Sequence, residues 1–197
     1  VYYLVSCNFG ELITVLAGLL AFAVSPVSAV QLLWVNMLTD SAPAVALSME
    51  SAEDTVMKRK PDSAIGKIFS GTALLNILLQ SVFIAAMSLT AFVIGRKSGN
   101  AVGMSMTFGV LSISQIFHCY NNKSFGSVIN KRIFSNKFMN YSAVLALFIT
   151  VFLLFTPAGH VFGMAVLSFK QFMISLLLSF IIVPFTELLK LLDRIKD

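Results

Sequence analysis

The chain has 197 residues, a formal net charge of +5, and only 12% charged residues against 57% hydrophobic ones. Soluble domains have about 25% charged residues, so this chain has too few to cover a surface that faces water. The apolar residues lie in long blocks, and the mean hydropathy is +0.88. The composition therefore excludes an ordinary soluble domain and predicts a membrane protein.

Six apolar stretches are long enough to cross a bilayer, which takes about 20 residues of α-helix. We predict an all-α membrane protein, in which a bundle of six transmembrane helices with short loops forms one transmembrane domain over residues 1–197. The predicted spans are about 2–24, 30–49, 69–94, 102–120, 138–155 and 169–189.

The basic residues of the loops predict the orientation, because cytoplasmic loops are enriched in Lys and Arg. With the N-terminal side in the cytoplasm, only Arg96, Lys97 and Lys170 lie outside, and the other eleven basic residues lie inside. We therefore expect an integral multi-pass protein of the cell membrane with both termini cytoplasmic. This asymmetry accounts for the positive charge, so the charge gives no reason to expect a nucleic-acid partner.

The first span contains Glu11, about 20 Å from the outer end of its helix at 1.5 Å per residue. Asn8 precedes it by three residues, which places both side chains on one helix face. Gly10, directly before Glu11, indicates that another helix approaches closely here.

The second span contains Asp40 at a similar depth, about 15 Å from its outer end. Asn36, Thr39 and Asp40 follow the i, i+3, i+4 spacing of one helix face. Pro43 has no N–H to donate to the carbonyl of Thr39. We therefore predict that the second helix is partly unwound near Asp40–Pro43, as in the broken helices with which transporters expose backbone oxygens to ions.

Two carboxyl groups at mid-membrane depth need compensation, because each one costs roughly 2.5–3.5 kcal/mol at a helix centre. No Lys or Arg lies at that depth in the sequence. The side chains of Asn8, Glu11, Asn36, Thr39 and Asp40 offer up to seven oxygens, and Ca²⁺ takes six to eight. A cation site is therefore the leading interpretation, and a polar seam of protonated carboxyl groups is the alternative.

Other polar residues give weaker signals. Gln115 and His118 in the fourth span are typical of hydrogen bonds between helices, although Gln115 could also face the cation site. Glu187 lies near the inner end of the last span, within reach of Lys190 or Arg194. The two cysteines lie in apolar surroundings, where they act as small hydrophobic residues.

Three segments in and after the polar spans form a pattern: SCNFGE at 6–11, QLLWVNMLTD at 31–40, and PAVAL at 43–47 continuing to MKRKP at 57–61. In these segments the chain resembles the Ca²⁺-transporting P-type ATPases. The four later spans are similar mainly in number and spacing. The chain as a whole is similar to the last six membrane helices of that family, the fifth to the tenth.

This resemblance implies that Asn8, Glu11, Asn36, Thr39 and Asp40 bind the transported ion. It implies that Gln115 takes the place of a glutamate found in pumps with two Ca²⁺ sites, so one ion is the better expectation. Two sites stay open, because the resemblance also implies that Glu11 is often missing in pumps with one site. It also implies that the loop at 53–61 faces a phosphorylation domain.

The resemblance implies further partners as well. The chain begins at Val1 inside an apolar run and has no phosphorylation or nucleotide-binding motif, so we expect it to be part of a longer pump. The fourth helix, the phosphorylation domain and the nucleotide domain would lie upstream, and ATP and Mg²⁺ would bind there. We expect that this chain alone does not hydrolyse ATP, and that the whole enzyme exports Ca²⁺ in exchange for protons.

Two other functions remain open at this point. Oxygen ligands also suit Mn²⁺, Na⁺ and K⁺, so the pump could transport one of these ions. A proton-coupled secondary cation transporter or channel would also use paired carboxylates, but it would predict an inverted repeat, which the sequence does not show.

Overall fold

The computed structural model describes residues 2–49, 71–123 and 134–196. Two predicted features lie outside these ranges, namely the loop at 53–61 and the start of the third span at Phe69. Every regular element within the described ranges is helical, which confirms the predicted all-α membrane fold.

The helices begin and end close to the positions predicted from hydropathy, because apolar length determines where a helix can remain in lipid. We number the α-helices in chain order and name the two other elements by their type. They are α1 Tyr2–Phe22, α2 Ala29–Trp34, a π-helix Val35–Asp40, α3 Ser41–Ser48, α4 Gly71–Arg96, α5 Asn100–Asn121, α6 Lys137–Phe155, a 3₁₀-helix Pro157–Phe162, α7 Phe169–Phe180 and α8 Ile182–Lys196.

Five helical segments are long and apolar enough to cross a membrane among the described residues. They are α1, α4, α5, α6 and the combined stretch Phe169–Leu192. The second predicted span differs, because it consists of three consecutive pieces, α2, the π-helix and α3. The predicted count of six uninterrupted spanning helices is therefore not confirmed.

The unwinding predicted at Asp40–Pro43 is also not confirmed, because these residues are helical. Pro43 is the third residue of α3, which continues directly from the π-helix, so its missing N–H leaves the carbonyl of Thr39 without an intrahelical donor while the chain stays helical. The irregularity lies just before it, where the N–H of Ser41 donates to the carbonyl of Asn36, five residues back. This wide turn accommodates the proline without opening the helix.

Helix α5 lies at the centre of the bundle. In its most apolar 18-residue stretch, 83% is buried inside the bundle, whereas the same share is 33–39% in the other four segments. Helices α1, α4, α6, α7 and α8 all pack against it. The side chains of α5 therefore meet those of every other long helix, and polar groups on α5 can join networks with several partners.

Close helix approach is achieved at glycines. A Cβ on Gly10 of α1 would lie 3.1 Å from Cγ2 of Ile84 in α4, and a Cβ on Gly95 of α4 would lie 2.7 Å from the Cα of Gly103 in α5. The predicted close approach at Gly10 is therefore confirmed. Outward faces are apolar, as at Leu16 and Leu20 of α1 and Phe148 of α6.

Candidate cation-binding site

The Glu11 carboxylate lies inside the bundle and joins three helical segments. Glu11 is 5% exposed, and each of its oxygens accepts one hydrogen bond from an amide. Nδ2 of Asn36 on the π-helix donates to Oε2 at 3.1 Å, and Nε2 of Gln115 on α5 donates to Oε1 at 2.7 Å. Residues far apart in the chain thus meet at one carboxylate.

Thr39 continues the network on the other side of Gln115. Its hydroxyl lies 2.6 Å from Oε1 of Gln115 and 2.8 Å from the carbonyl oxygen of Val35, one turn earlier. Both Thr39 and Gln115 are buried. Because the amide of Gln115 has one donor end and one acceptor end, it links the Glu11 carboxylate to the Thr39 hydroxyl.

Asp40 lies beside this network and is also buried, with 2% of its surface exposed. Its Oδ1 accepts a hydrogen bond of 3.3 Å from the hydroxyl of Tyr3, while its Oδ2 has no hydrogen-bond partner among the described residues. The carboxyl groups of Glu11 and Asp40 are near enough for their charges to interact. A buried oxygen without a partner is costly, so this end of the site is suited to a ligand.

Tyr3 also satisfies the carbonyl that Pro43 leaves without an intrahelical donor. Its hydroxyl is 3.0 Å from the carbonyl oxygen of Thr39. The sequence identified this free carbonyl but not Tyr3, because tyrosines near a helix end are usually read as interface residues. The successive four-residue steps from Tyr3 to Cys7 and from Cys7 to Glu11, all on the buried face of α1, were the signal that could have indicated it.

The structure does not bring Asn8 into the network. Asn8 is exposed, and its amide donates to the carbonyl of Leu4 in its own helix at 2.8 Å. Of the predicted ligands, Glu11, Asn36, Thr39 and Asp40 therefore lie together with Gln115, and Asn8 lies apart on the outward face of α1.

His118 and Glu187 lie where the sequence indicated. Nε2 of His118 is 2.8 Å from the hydroxyl of Ser6 on α1, which confirms a hydrogen bond between helices. Nζ of Lys190 is 3.4 Å from Oε1 of Glu187, so Glu187 pairs at the end of the bundle, away from the buried carboxyl groups.

Neither Glu11 nor Asp40 pairs with a Lys or Arg within the part of the chain that the structure describes. In the same part, no three His, Cys, Asp or Glu side chains gather closely enough to hold a metal ion. The side chains gathered here carry the oxygens of two carboxylates, two amides and one hydroxyl, which is the ligand type that hard cations bind. In this structure both amides direct N–H groups at Glu11.

Comparison with known proteins places most of the chain in one group. Residues 24–192 match the family described as "Cation transporting ATPase, C-terminus". A calcium-transporting ATPase of Bacillus cereus is 31% identical over 98% of this chain and 24% of its own length.

Two further relatives differ in the ion named. A calcium-transporting ATPase of Listeria monocytogenes is 32% identical over 75% of this chain and 17% of its own length. A sodium/potassium exporting P-type ATPase of Schizosaccharomyces pombe is 35% identical over 51% of this chain and 10% of its own length. The chain thus spans about a quarter or less of the relatives that it matches.

Proposed function

The chain belongs to the C-terminal region of the cation-transporting ATPases, and from this premise we propose that it is the ion-binding membrane part of a P-type Ca²⁺ pump. In the whole enzyme, ATP and Mg²⁺ would act through phosphorylation and nucleotide domains that precede this chain. The pump would export Ca²⁺ from the cytoplasm across the cell membrane, with both termini of the present chain on the cytoplasmic side.

One observation supports the proposal most strongly. Glu11 and Asp40 are buried together without a basic partner among the described residues, and oxygen-bearing side chains surround them. Two negative charges in a bilayer are costly unless a cation or protons compensate them. An ion that alternates with protons at these two groups would provide that compensation throughout a transport cycle.

The amides at the site can serve both the state with a bound ion and the state without one. Asn36 and Gln115 direct N–H groups at Glu11, and half a turn of each amide would direct its carbonyl oxygen there instead. With both amides turned, the two carboxylates, the two amide oxygens and the Thr39 hydroxyl offer a hard cation enough oxygens for most of a Ca²⁺ shell. Asn8 would join only if a segment outside this chain brought the ion toward the outer face of α1.

The charge of the site favours one Ca²⁺ ion. Glu11 and Asp40 supply two negative charges, which balance one divalent ion, and Gln115 adds none. A second ion would need further carboxylates from helices outside this chain. We therefore propose a single Ca²⁺ per cycle.

The test uses the full-length enzyme and measures how phosphorylation by ATP depends on Ca²⁺ concentration. We expect Glu11→Gln and Asp40→Asn each to raise the half-maximal Ca²⁺ concentration by at least about tenfold, because each removes a charge that faces the ion. Thr150→Val is the control, since Thr150 is buried on α6 and its hydroxyl donates to the carbonyl of Ala146 in the same helix. An unchanged Ca²⁺ dependence in both site variants would overturn the assignment.

An alkali-ion pump is the second candidate, favoured by the similarity to the sodium/potassium exporting ATPase of fission yeast. The same phosphorylation assay distinguishes a Ca²⁺ pump from an alkali-ion pump. Under the Ca²⁺ proposal, Na⁺ or K⁺ without Ca²⁺ does not activate the wild-type enzyme. Activation by Na⁺ alone would contradict the assignment of Ca²⁺ as the transported ion, but not the assignment of the residues that bind it.

A further inference from the structure

A second polar cluster lies at the cytoplasmic-facing end of α5, and its residues are not among the candidate ion ligands. His118 is completely buried there. Its Nε2 is 2.8 Å from the Ser6 hydroxyl on α1 and 3.1 Å from Nδ2 of Asn122. His118 thus joins α5 to α1, the same two helices that Gln115 and Glu11 join.

The contacts of His118 define its tautomer. The amide nitrogen of Asn122 can only donate, so Nε2 of His118 is the acceptor and the ring proton lies on Nδ1. That Nδ1 is buried and has no hydrogen-bond partner among the described residues. Since a buried donor without an acceptor is costly, something must accept from it.

Two other buried atoms lack partners in the same part of the described structure, Oδ1 of Asn121 and Oγ1 of Thr186. Asn121 lies one turn after His118. Its Nδ2 is 3.4 Å from the carbonyl of Ile182, one turn before Thr186 on α8. A donor, an acceptor and a hydroxyl are therefore left unpaired where α5 ends against α8, and one buried water molecule would satisfy all three.

Charged and titratable groups surround His118 on two sides. Tyr3 of α1 lies with its ring centroid 6.0 Å from that of His118. On α8, Nζ of Lys190 donates to the carbonyl of Asn121 at 2.6 Å and also contacts Glu187. The Lys190 contact closes the cluster where α5 ends, so the polar groups behind it are separated from bulk water.

We propose that His118 is a positioning residue for the ion site, held by Ser6 on one side and by a water shared with Asn121 and Thr186 on the other. His118 and Gln115 are three residues apart on α5, and Ser6 and Glu11 are five apart on α1. Two hydrogen bonds about one turn apart determine both the rotation and the height of one helix relative to another. The inference rests on the proposed function and adds the residue that sets where Gln115 meets Glu11.

The test uses the full-length enzyme and separates Ca²⁺ affinity from maximal phosphorylation. We expect His118→Phe to raise the half-maximal Ca²⁺ concentration about tenfold with little change in the maximum, because the ligands remain but are displaced. His118→Gln restores an acceptor near the position of Nε2, so we expect it to remain within about threefold of wild type. Thr150→Val is the control, because Thr150 is buried and its hydroxyl, within the described ranges, donates to Ala146 of its own helix alone.

A double-variant cycle tests the route through Ser6. We expect Ser6→Ala to weaken Ca²⁺ activation and the double variant Ser6→Ala/His118→Phe to behave like His118→Phe alone, because both remove the same bond. Additive effects would overturn the route through Ser6. If His118→Phe does not fold, the other two variants test the proposal. It requires a half-maximal Ca²⁺ concentration near that of wild type in His118→Gln and a raised one in Ser6→Ala.

Thr186→Val tests the water. The variant removes one of the three protein partners of the proposed water molecule, so we expect the half-maximal Ca²⁺ concentration to rise about two- to threefold. An unchanged value would overturn the water-linked contact with α8. Wild-type Ca²⁺ dependence in His118→Phe would overturn the positioning role itself. A wild-type enzyme that Ca²⁺ does not activate would instead contradict the proposed function, so the two failures are distinguishable.

Discussion

At the scale of single residues, the site depends on side chains that can both donate and accept. The Gln115 amide donates to Glu11 and accepts from Thr39. A carboxylate in its place would lack the donor and would face Glu11 as a like charge. The glutamine therefore stabilises Glu11 in the absence of an ion, and it limits the negative charge of the site.

Gln115→Met tests this contribution to stability. The variant keeps the volume but leaves Oε1 of Glu11 without its donor, so we expect the free energy of unfolding to fall by about 1–3 kcal/mol. Thermal unfolding of the detergent-solubilised full-length protein measures it. Gln80→Met is the control, because Gln80 is only half-buried on α4 and outside the network; an equal loss in both variants would contradict the special role of Gln115.

At the scale of elements, backbone approach between helices decides how tightly the bundle closes around α5. Gly95 of α4 faces Gly103 of α5 at a distance that leaves no room for a side chain, since the contact would be to backbone. Small residues allow such approach in membrane helices, where packing replaces the hydrophobic driving force. The pair therefore holds α4 and α5 together next to the loop that joins them.

Gly95→Ala tests this contact. The added methyl group would lie 2.7 Å from the Cα of Gly103, so α4 and α5 must separate, and we expect a loss of about 1–3 kcal/mol in the free energy of unfolding. The melting temperature of the purified full-length protein is the readout. Gly71→Ala is the matched control because a Cβ there meets no described atom within 4 Å. Equal melting temperatures for the two variants would show that the helices are not closely packed at Gly95.

At the scale of the whole molecule, the basic residues of the loops predict the orientation in the membrane. The loop between α4 and α5 and the loop before α6 lie at opposite ends of the bundle, because α5 runs between them. Under the predicted orientation the first loop faces outward and the second faces the cytoplasm.

Labelling of engineered cysteines tests this orientation. Ser98 and Ser135 are both exposed and belong to the first and second of these loops. In intact cells we expect a membrane-impermeant thiol reagent to label Ser98→Cys but not Ser135→Cys, and both after permeabilisation. The native Cys7 and Cys119 are buried and provide the unlabelled background. The reverse pattern would invert the topology.

The fold class and much of the site could be predicted from sequence. Apolar length determined the helices, and the cost of burying charge identified Glu11 and Asp40. Helical spacing correctly grouped Asn36, Thr39 and Asp40. The same spacing grouped Asn8 with Glu11, but three residues turn a helix by about 60° short of a full revolution, enough to leave Asn8 exposed while Glu11 is buried.

Sequence by itself therefore determined which residues are too polar for lipid and how far along their helices they lie, because these follow from composition and from the rise of a helix. Only the tertiary structure decided which of them meet. Gln115 joins Glu11 across a separation of 104 residues, and Tyr3 reaches Asp40 across 37. Such contacts depend on how helices rotate and approach one another, and the local pattern of a single helix contains no information about its neighbour's rotation.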